Sequence, residues 1–348
     1  MDVINKGHNP PLVSICIPTY NSAKTLIETL NSIILQSYQN LEILIVDNAS
    51  SDNTIKLAQG YFDPRVKIHA FTENIGAEGN FNRCINLATG EYTAIYHADD
   101  VYRKDIVAKQ IEYLERNIDI GVVFTEADVI DANGSHIGSI HFPKKIRKLS
   151  SEKKNFILFF KSLLEYSNFI ICPSAMVRTY IYKYEVKEWR GKLFGSSADL
   201  DVWLRIAQKY SIGLMPEKLM DYRISSHQHS HLVRYQTERA DFFRVIDYYL
   251  TDSSVVQMLT EYDFEKYQTL MSRDLAMRAA NYFLKGEFRE SSALIRQAMT
   301  YKNSIRCFKS KKGFLTFCLL AYLELTNRPG IRNTSQKILI FLKNFFRK

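Results

Sequence analysis

Short apolar runs alternating with helical patterns over the first third of the chain limit its possible folds more than any other feature. Leu12 to Thr19 (LVSICIPT) is one such run, and Ala23 to Leu35 follows it with Leu26, Leu30, Ile33 and Ile34 at helical spacing. Asn21-Ser22 ahead of that helix suits an N-cap. Leu41 to Ser50 (LEILIVDNAS) is a second strand pattern, Ser51 or Asp52 can cap another helix, and Val66 to Phe71 is a third strand. Ala77 to Ala88 then reads as a helix, and Tyr92 to Tyr96 as a fourth strand. Strand and helix at this spacing predict βαβ units and an α/β fold, with a mostly parallel sheet buried on both faces. Ligands of such sheets bind beyond the carboxyl ends of the strands.

Polar and acidic residues collect at those ends. Pro18-Thr19-Tyr20-Asn21 ends the first strand, Asp47-Asn48 the second, and Asp99-Asp100 the stretch GEYTAIYHADD. Adjacent carboxylates at a strand end are costly unless a cation or hydrogen-bond donors share their charge. Mg²⁺ or Mn²⁺ would do so, completing its shell with water and phosphate oxygens. Alone, Asp99-Asp100 would equally suit a solvated turn. Polar groups at separate strand ends, all facing one edge, favour a shared site.

The 348 residues suffice for one large domain and an accessory one. Five cysteines stand apart with no CxxC spacing, as in a reduced cytosolic protein. The N-terminal MDVINKGHNPP lacks the apolar core of a secretory signal, and the longest apolar stretch, Phe314 to Leu325, is short of a membrane span. The net charge of +9 is concentrated at the C-terminus. From Lys302 onward eleven Lys/Arg face the single acid Glu324, a balance of +10, so the preceding residues sum to −1. That basicity is interleaved with aliphatic residues and no nucleic-acid recognition motif appears, so nucleic acid is not expected as a partner.

Taken together, VSICIPTYN, LEILIVDNASSDNT, NIGAEGNFNRCINLATGEY and HADD resemble the nucleotide-sugar half of a family 2 glycosyltransferase. The resemblance covers about residues 12 to 230. It implies the GT-A fold, a Rossmann-like, mostly parallel sheet flanked by helices, and a nucleotide-sugar donor, expected to be a UDP-sugar. It places Tyr20, with Pro18, Thr19 and Asn21, near the base, and Asp47 with Asn48 at base or ribose. It also assigns Asn80, Asn82 and Arg83 to the nucleotide site, and the HADD residues His97, Ala98 and Asp99 to the donor. Asp99 matches the usual metal ligand, with Asp100 a further candidate. Many members carry Asp where this chain has His97, which could meet a sugar or ribose hydroxyl or ligate the metal as neutral imidazole.

Further on, Asp105 to Arg116 is amphipathic, and Ile120 to Gly134 reads as a strand, an acidic bend and a turn at Asn133-Gly134. Pro143 to Lys161 is a lysine-rich loop leading into a helix, Asn155 to Leu164. In SSADLDVWLRIA, Asp199 and Asp201 begin a helix, where the dipole stabilises carboxylates by ~0.3–1 kcal/mol. The resemblance gives a second role: aligned on Trp203-Leu204-Arg205, Asp199 takes the place of the catalytic base, with Asp201 as the alternative and Ala198 where a second acid is usual. A base there would accept the acceptor's hydroxyl proton, giving inversion at the anomeric carbon. Met220 to His231 resembles the segment closing the donor site, where His227, His229 or His231 could reach diphosphate or metal.

From Val233 the pattern is helical, so residues 1–232 are expected to form the transferase domain and 233–348 an all-α region. Asp274 to Met299 resembles one tetratricopeptide-like unit. Ser335 to Lys348 puts Ile338, Phe341, Leu342 and Phe345 on one face among Lys337, Lys343, Arg347 and Lys348, as in helices that bind anionic membrane surfaces. The expected protein is therefore cytoplasmic, peripheral on the inner face of the cell membrane, and active in polysaccharide assembly on a lipid-linked or oligosaccharide acceptor. The alternative is a catalytically inactive nucleotide-sugar-binding partner.

Overall fold

A computed structural model describes residues 9–148, 156–224, 235–300, 308, 310–328 and 330–345. The chain divides into two compact units, residues 1–159 with 169–223, and residues 160–168 with 224–348. In the first unit the predicted alternation appears as β1 (Val13–Thr19), α1 (Leu26–Ile34), β2 (Leu41–Asn48), α2 (Thr54–Gln59), β3 (Val66–Phe71), α3 (Gly76–Leu87) and β4 (Tyr92–Ile95). There follow β5 (Val101–Tyr102), α4 (Ile106–Arg116), β6 (Ile120–Ile130), β7 (His136–Ile140) and α5 (Lys144–Lys148). The helix α6 (Phe156–Tyr166) carries the chain across the division between the units, and β8 (Met176–Arg178), α7 (Gly191–Phe194), α8 (Ala198–Ala207) and β9 (Ser211–Arg223) complete the first unit.

The strands form one mixed sheet in the order β3-β2-β1-β4-β8-β6-β9-β5, with β7 added to β6. Pairs β1–β2, β1–β4, β2–β3 and β6–β9 are parallel. Every residue of β2 is buried, which is why its sequence is a near-continuous apolar run. Leu26, Leu30 and Ile33 of α1 pack into the core with Ile15, Ile17, Ile43 and Ile45.

One expectation changes. Ile120 to Ile130 is one strand running straight through its acids, with no bend. Glu126 stays in the sheet because its carboxylate is buried and accepts from His141 Nδ1 (2.5 Å) and Phe142 N (3.1 Å). The chain to Arg223 is a 13-residue strand, β9, paired along β6. Its pattern is hard to read because the register jumps from Thr125–Met215 to Glu126–Lys218, which leaves the exposed Pro216-Glu217 unpaired.

The second unit is helical: α9 (Asp241–Leu250), α10 (Ser253–Gln257), α11 (Glu261–Lys285), α12 (Phe288–Ala298), α13 (Lys311–Thr326) and α14 (Arg332–Phe345). A capping box between Thr260 and Asp263 starts α11, and Gly286, with φ of 82°, ends it in the left-handed conformation a glycine tolerates. Ala276, Ala279, Phe283, Ile295, Leu320 and Leu339 share its core. Leu339 thus docks α14 on its own unit, while Ile338 and Ile340 are exposed. Among the described residues no helix is long and apolar enough to cross a membrane.

Candidate active site

Parallel pairing sets the carboxyl ends of β1 and β2 side by side, with Thr19 opposite Asp47. Thr19 Oγ1 donates to Asp47 Oδ1 (2.7 Å), and Ser50 adds bonds from Oγ (2.5 Å) and N (2.9 Å). Asp47 is buried and rigidly held. Asn21, at φ 51°, accepts the Ser51 N–H on its side chain (2.9 Å), which ties the two strand-end loops together. Pro18 is half-buried, and Tyr20 is 52% exposed at the edge of this group.

The other residues assigned to the nucleotide site make hydrogen bonds within the protein. Asn48 donates to Asn74 Oδ1 (2.8 Å) and Gly76 O (3.1 Å) and accepts from Ile75 N (3.0 Å) and Arg83 Nη1 (2.9 Å). The Arg83 guanidinium lies 4.0 Å from the centre of the Phe71 ring and donates to Glu73 O (3.2 Å). Asn80 Nδ2 donates to Val46 O (2.8 Å). Asn82 accepts from Trp189 N (2.8 Å) and donates to Trp189 O (3.5 Å).

Beyond β4 the acidic loop is fastened to α1: Thr25 Oγ1 donates to Ala98 O (2.8 Å) and Thr29 Oγ1 to Asp100 O (2.7 Å). Arg223, at the end of β9 and almost wholly buried, grips it from the other side. Its Nε donates to Asp99 O (2.7 Å), its backbone N to Asp100 Oδ1 (2.8 Å), and its Nη2 to Glu28 Oε2 (2.5 Å). Arg223 as this clamp was not predicted, because its partners lie far away in sequence.

One ligand atom each from His97, Asp99 and Asp100 can be chosen so that all lie within 4.8 Å of one another. Asp100 has no exposed surface, and its Oδ2 has no hydrogen-bond partner; nor has the buried Nε2 of His97. Burial, reinforced by the neighbouring Asp99, pushes the Asp100 carboxyl well above its usual range against the opposing pull of Arg223. Burial also lowers the His97 imidazole, while Asp99 opposes that shift. Orphaned buried acceptors around adjacent carboxylates fit a divalent cation.

Asp201 in the first turn of α8 is fully buried between two guanidiniums. Arg190 Nε and Nη2 and Arg205 Nε and Nη2 all reach its carboxylate, and Arg205 also ties down the carbonyls of Val186 and Glu188. The i, i+4 spacing of Asp201 and Arg205 was visible in the sequence. Asp199, in the first turn of α8, is half-buried, and the Cys172 thiol is pushed up by burial, then by Asp199, then by Asp100. His227, His229 and His231 lie outside the described residues.

The family model for glycosyl transferase family 2 matches residues 14–184. An uncharacterised glycosyltransferase of Methanocaldococcus jannaschii is 34% identical over 222 residues, covering 62% of this chain and 71% of that protein. The chain belongs to glycosyltransferase family 2. The fold of this family member is likewise that of known glycosyltransferases. TarS of S. aureus, solved with UDP-GlcNAc, superposes with a TM-score of 0.59 at 18% identity, covering 92% of each chain. A Pyrobaculum calidifontis mannosyltransferase solved with GDP-Man and Mn²⁺ gives 0.55 at 18% identity, covering 98% of this chain and 88% of that one. The GT-A architecture expected from the family motifs is therefore present, with its helical C-terminal region.

Proposed function

We propose that this glycosyltransferase takes a sugar from a UDP-sugar and passes it, with inversion, to a hydroxyl of a lipid-linked or growing surface glycan. The observation that carries this reading is the clustering of His97, Asp99 and Asp100, whose Oδ2 is orphaned, at the carboxyl edge of the sheet. Support for the donor comes from the neighbour bound to UDP-GlcNAc, and for a divalent cation from the neighbour holding Mn²⁺. Tyr20 offers an exposed aromatic face to the base, and Asp47, fixed by Thr19 and Ser50, accepts from base or ribose. Asp99 would hold Mn²⁺ or Mg²⁺ with Asp100 beside it. A cation bound there would stabilise charge on the departing diphosphate as a Lewis acid.

Asp199 is the general base. As the acceptor oxygen bonds to the anomeric carbon, its proton passes to the Asp199 carboxylate, and the breaking C–O bond leaves its electron pair on the diphosphate. One displacement inverts the configuration. Asp201 is the poorer base because N–H donors of Arg190 and Arg205 surround its carboxylate. It acts instead as a positioning residue, anchoring the turn that carries Asp199. Ala198 and His97, where acids are usual, favour the second reading of a non-catalytic nucleotide-sugar-binding protein. Incubation with nucleotide sugars, Mn²⁺ and glycan acceptors separates the two. Transfer of opposite anomeric configuration, lost in Asp99→Ala and Asp199→Asn, supports catalysis; donor binding without turnover supports the second reading. Exposed Ile338 on the apolar face, flanked by Lys337, would let α14 rest on an anionic membrane surface.

A further inference from the structure

We infer that His97 is a nitrogen ligand of the divalent cation and biases the site toward Mn²⁺ and Co²⁺ over Mg²⁺. This rests on the cation reading above and adds to it a ligand and a selectivity. Nε2 of His97 and Oδ2 of Asp100 are both buried without hydrogen-bond partners, and the two residues cluster with Asp99. A buried polar atom left unsatisfied is unfavourable, and coordination to a shared ion removes that cost.

The imidazole is aimed by packing. Phe81 stacks on it with centroids 5.9 Å apart and planes 11° from parallel. Phe81 meets the edge of Trp189 at 4.7 Å, and Trp189 in turn meets Trp203 at 6.0 Å. The Asn82 side chain holds the Trp189 backbone through both N and O, so α3 fixes both Phe81 and the tryptophan behind it. His97 N donates to Tyr102 Oη (2.8 Å), which secures the backbone beneath the ring. A preset imidazole suits borderline ions, whereas Mg²⁺ prefers oxygen ligands and retained water. Surrounding packing of this kind fixes a ligand's orientation and tunes its affinity.

The test is calorimetric titration of the full chain with Mn²⁺ and with Mg²⁺, each with saturating UDP, in wild type and His97→Asp. The substitution adds a negative charge that strengthens both ions, so the ratio of their affinities is the readout. The preference for Mn²⁺ should fall about tenfold in His97→Asp. Pulsed electron paramagnetic resonance of the wild-type Mn²⁺ complex should show ¹⁴N coupling, a reading that needs no variant to fold. Absence of nitrogen coupling in wild type overturns the inference, as does an unchanged affinity ratio. The cation reading survives either result if Asp99→Ala still abolishes Mn²⁺ binding. Failure of wild type to bind either ion overturns both.

Discussion

At its amino end β4 begins beside Glu42; at its carboxyl end it runs into Asp99 and Asp100. Glu42 Oε1 accepts from Ser14 Oγ (2.5 Å), Thr89 N (2.6 Å) and Thr89 Oγ1 (2.8 Å), while Oε2 faces Lys67 at 3.4 Å. Burial alone would raise this carboxyl, but the Ser14 and Thr89 hydrogen bonds outweigh it and hold it below its usual range. Asp100 is at least as buried, keeps an orphaned oxygen, and is shifted the other way. The same sheet therefore spends one carboxylate on joining β1, β2 and β4 and leaves the other with an oxygen that no hydrogen bond reaches. Burial of a carboxylate alone does not mark a site; incomplete satisfaction beside further ligands does.

Substitutions at the two ends should separate activity from stability. Asp199→Asn, at the proposed base, should lower the rate of transfer by about 10²–10⁴ with little change in melting temperature, as measured by donor turnover and calorimetry. Loss of stability without loss of rate per folded molecule would remove Asp199 from the chemistry. Glu42→Ala should do the opposite, costing about 3 kcal/mol by stranding the donors of Ser14 and Thr89, with turnover per folded molecule retained. Gly90→Ala should follow at about 1–3 kcal/mol in urea unfolding, because an added Cβ would lie 2.6 Å from Leu12 O and 2.8 Å from Ser14 N.

The smallest effect concerns pH. A carboxyl lowered in the folded state contributes stability above its ordinary value and loses it as pH falls through the folded one. Glu42→Gln should therefore flatten the acid limb of the stability profile below the ordinary carboxylate range, while leaving the neutral region nearly level apart from a constant offset. A wild-type slope retained in the variant would assign that limb to other groups.

The parallel half of the sheet was readable because each strand and helix there announces itself locally: β2 is apolar throughout, and α1 repeats Leu26, Leu30 and Ile33 on one face. The strand β9 was not readable, since its bulge at Pro216-Glu217 interrupts the pattern that pairing with β6 restores. The same divide runs through the site. Asp47 and Asp99 stood out as strand-end acids. Arg223 did not, because its role depends on Glu28 and Asp99, which folding alone brings to it. Nor could the sequence tell that Asn48 and Arg83 would bond to each other.

Thermal stabilisation of the full chain by a UDP-sugar, with and without Mn²⁺, in wild type and Asp99→Ala, tests the carboxyl-edge site most directly. The melting temperature of wild type should rise with donor only when Mn²⁺ is present, and Asp99→Ala should show no rise. An equal rise in Asp99→Ala, or no rise in wild type across UDP-, GDP- and other nucleotide sugars with Mn²⁺ present, would contradict it.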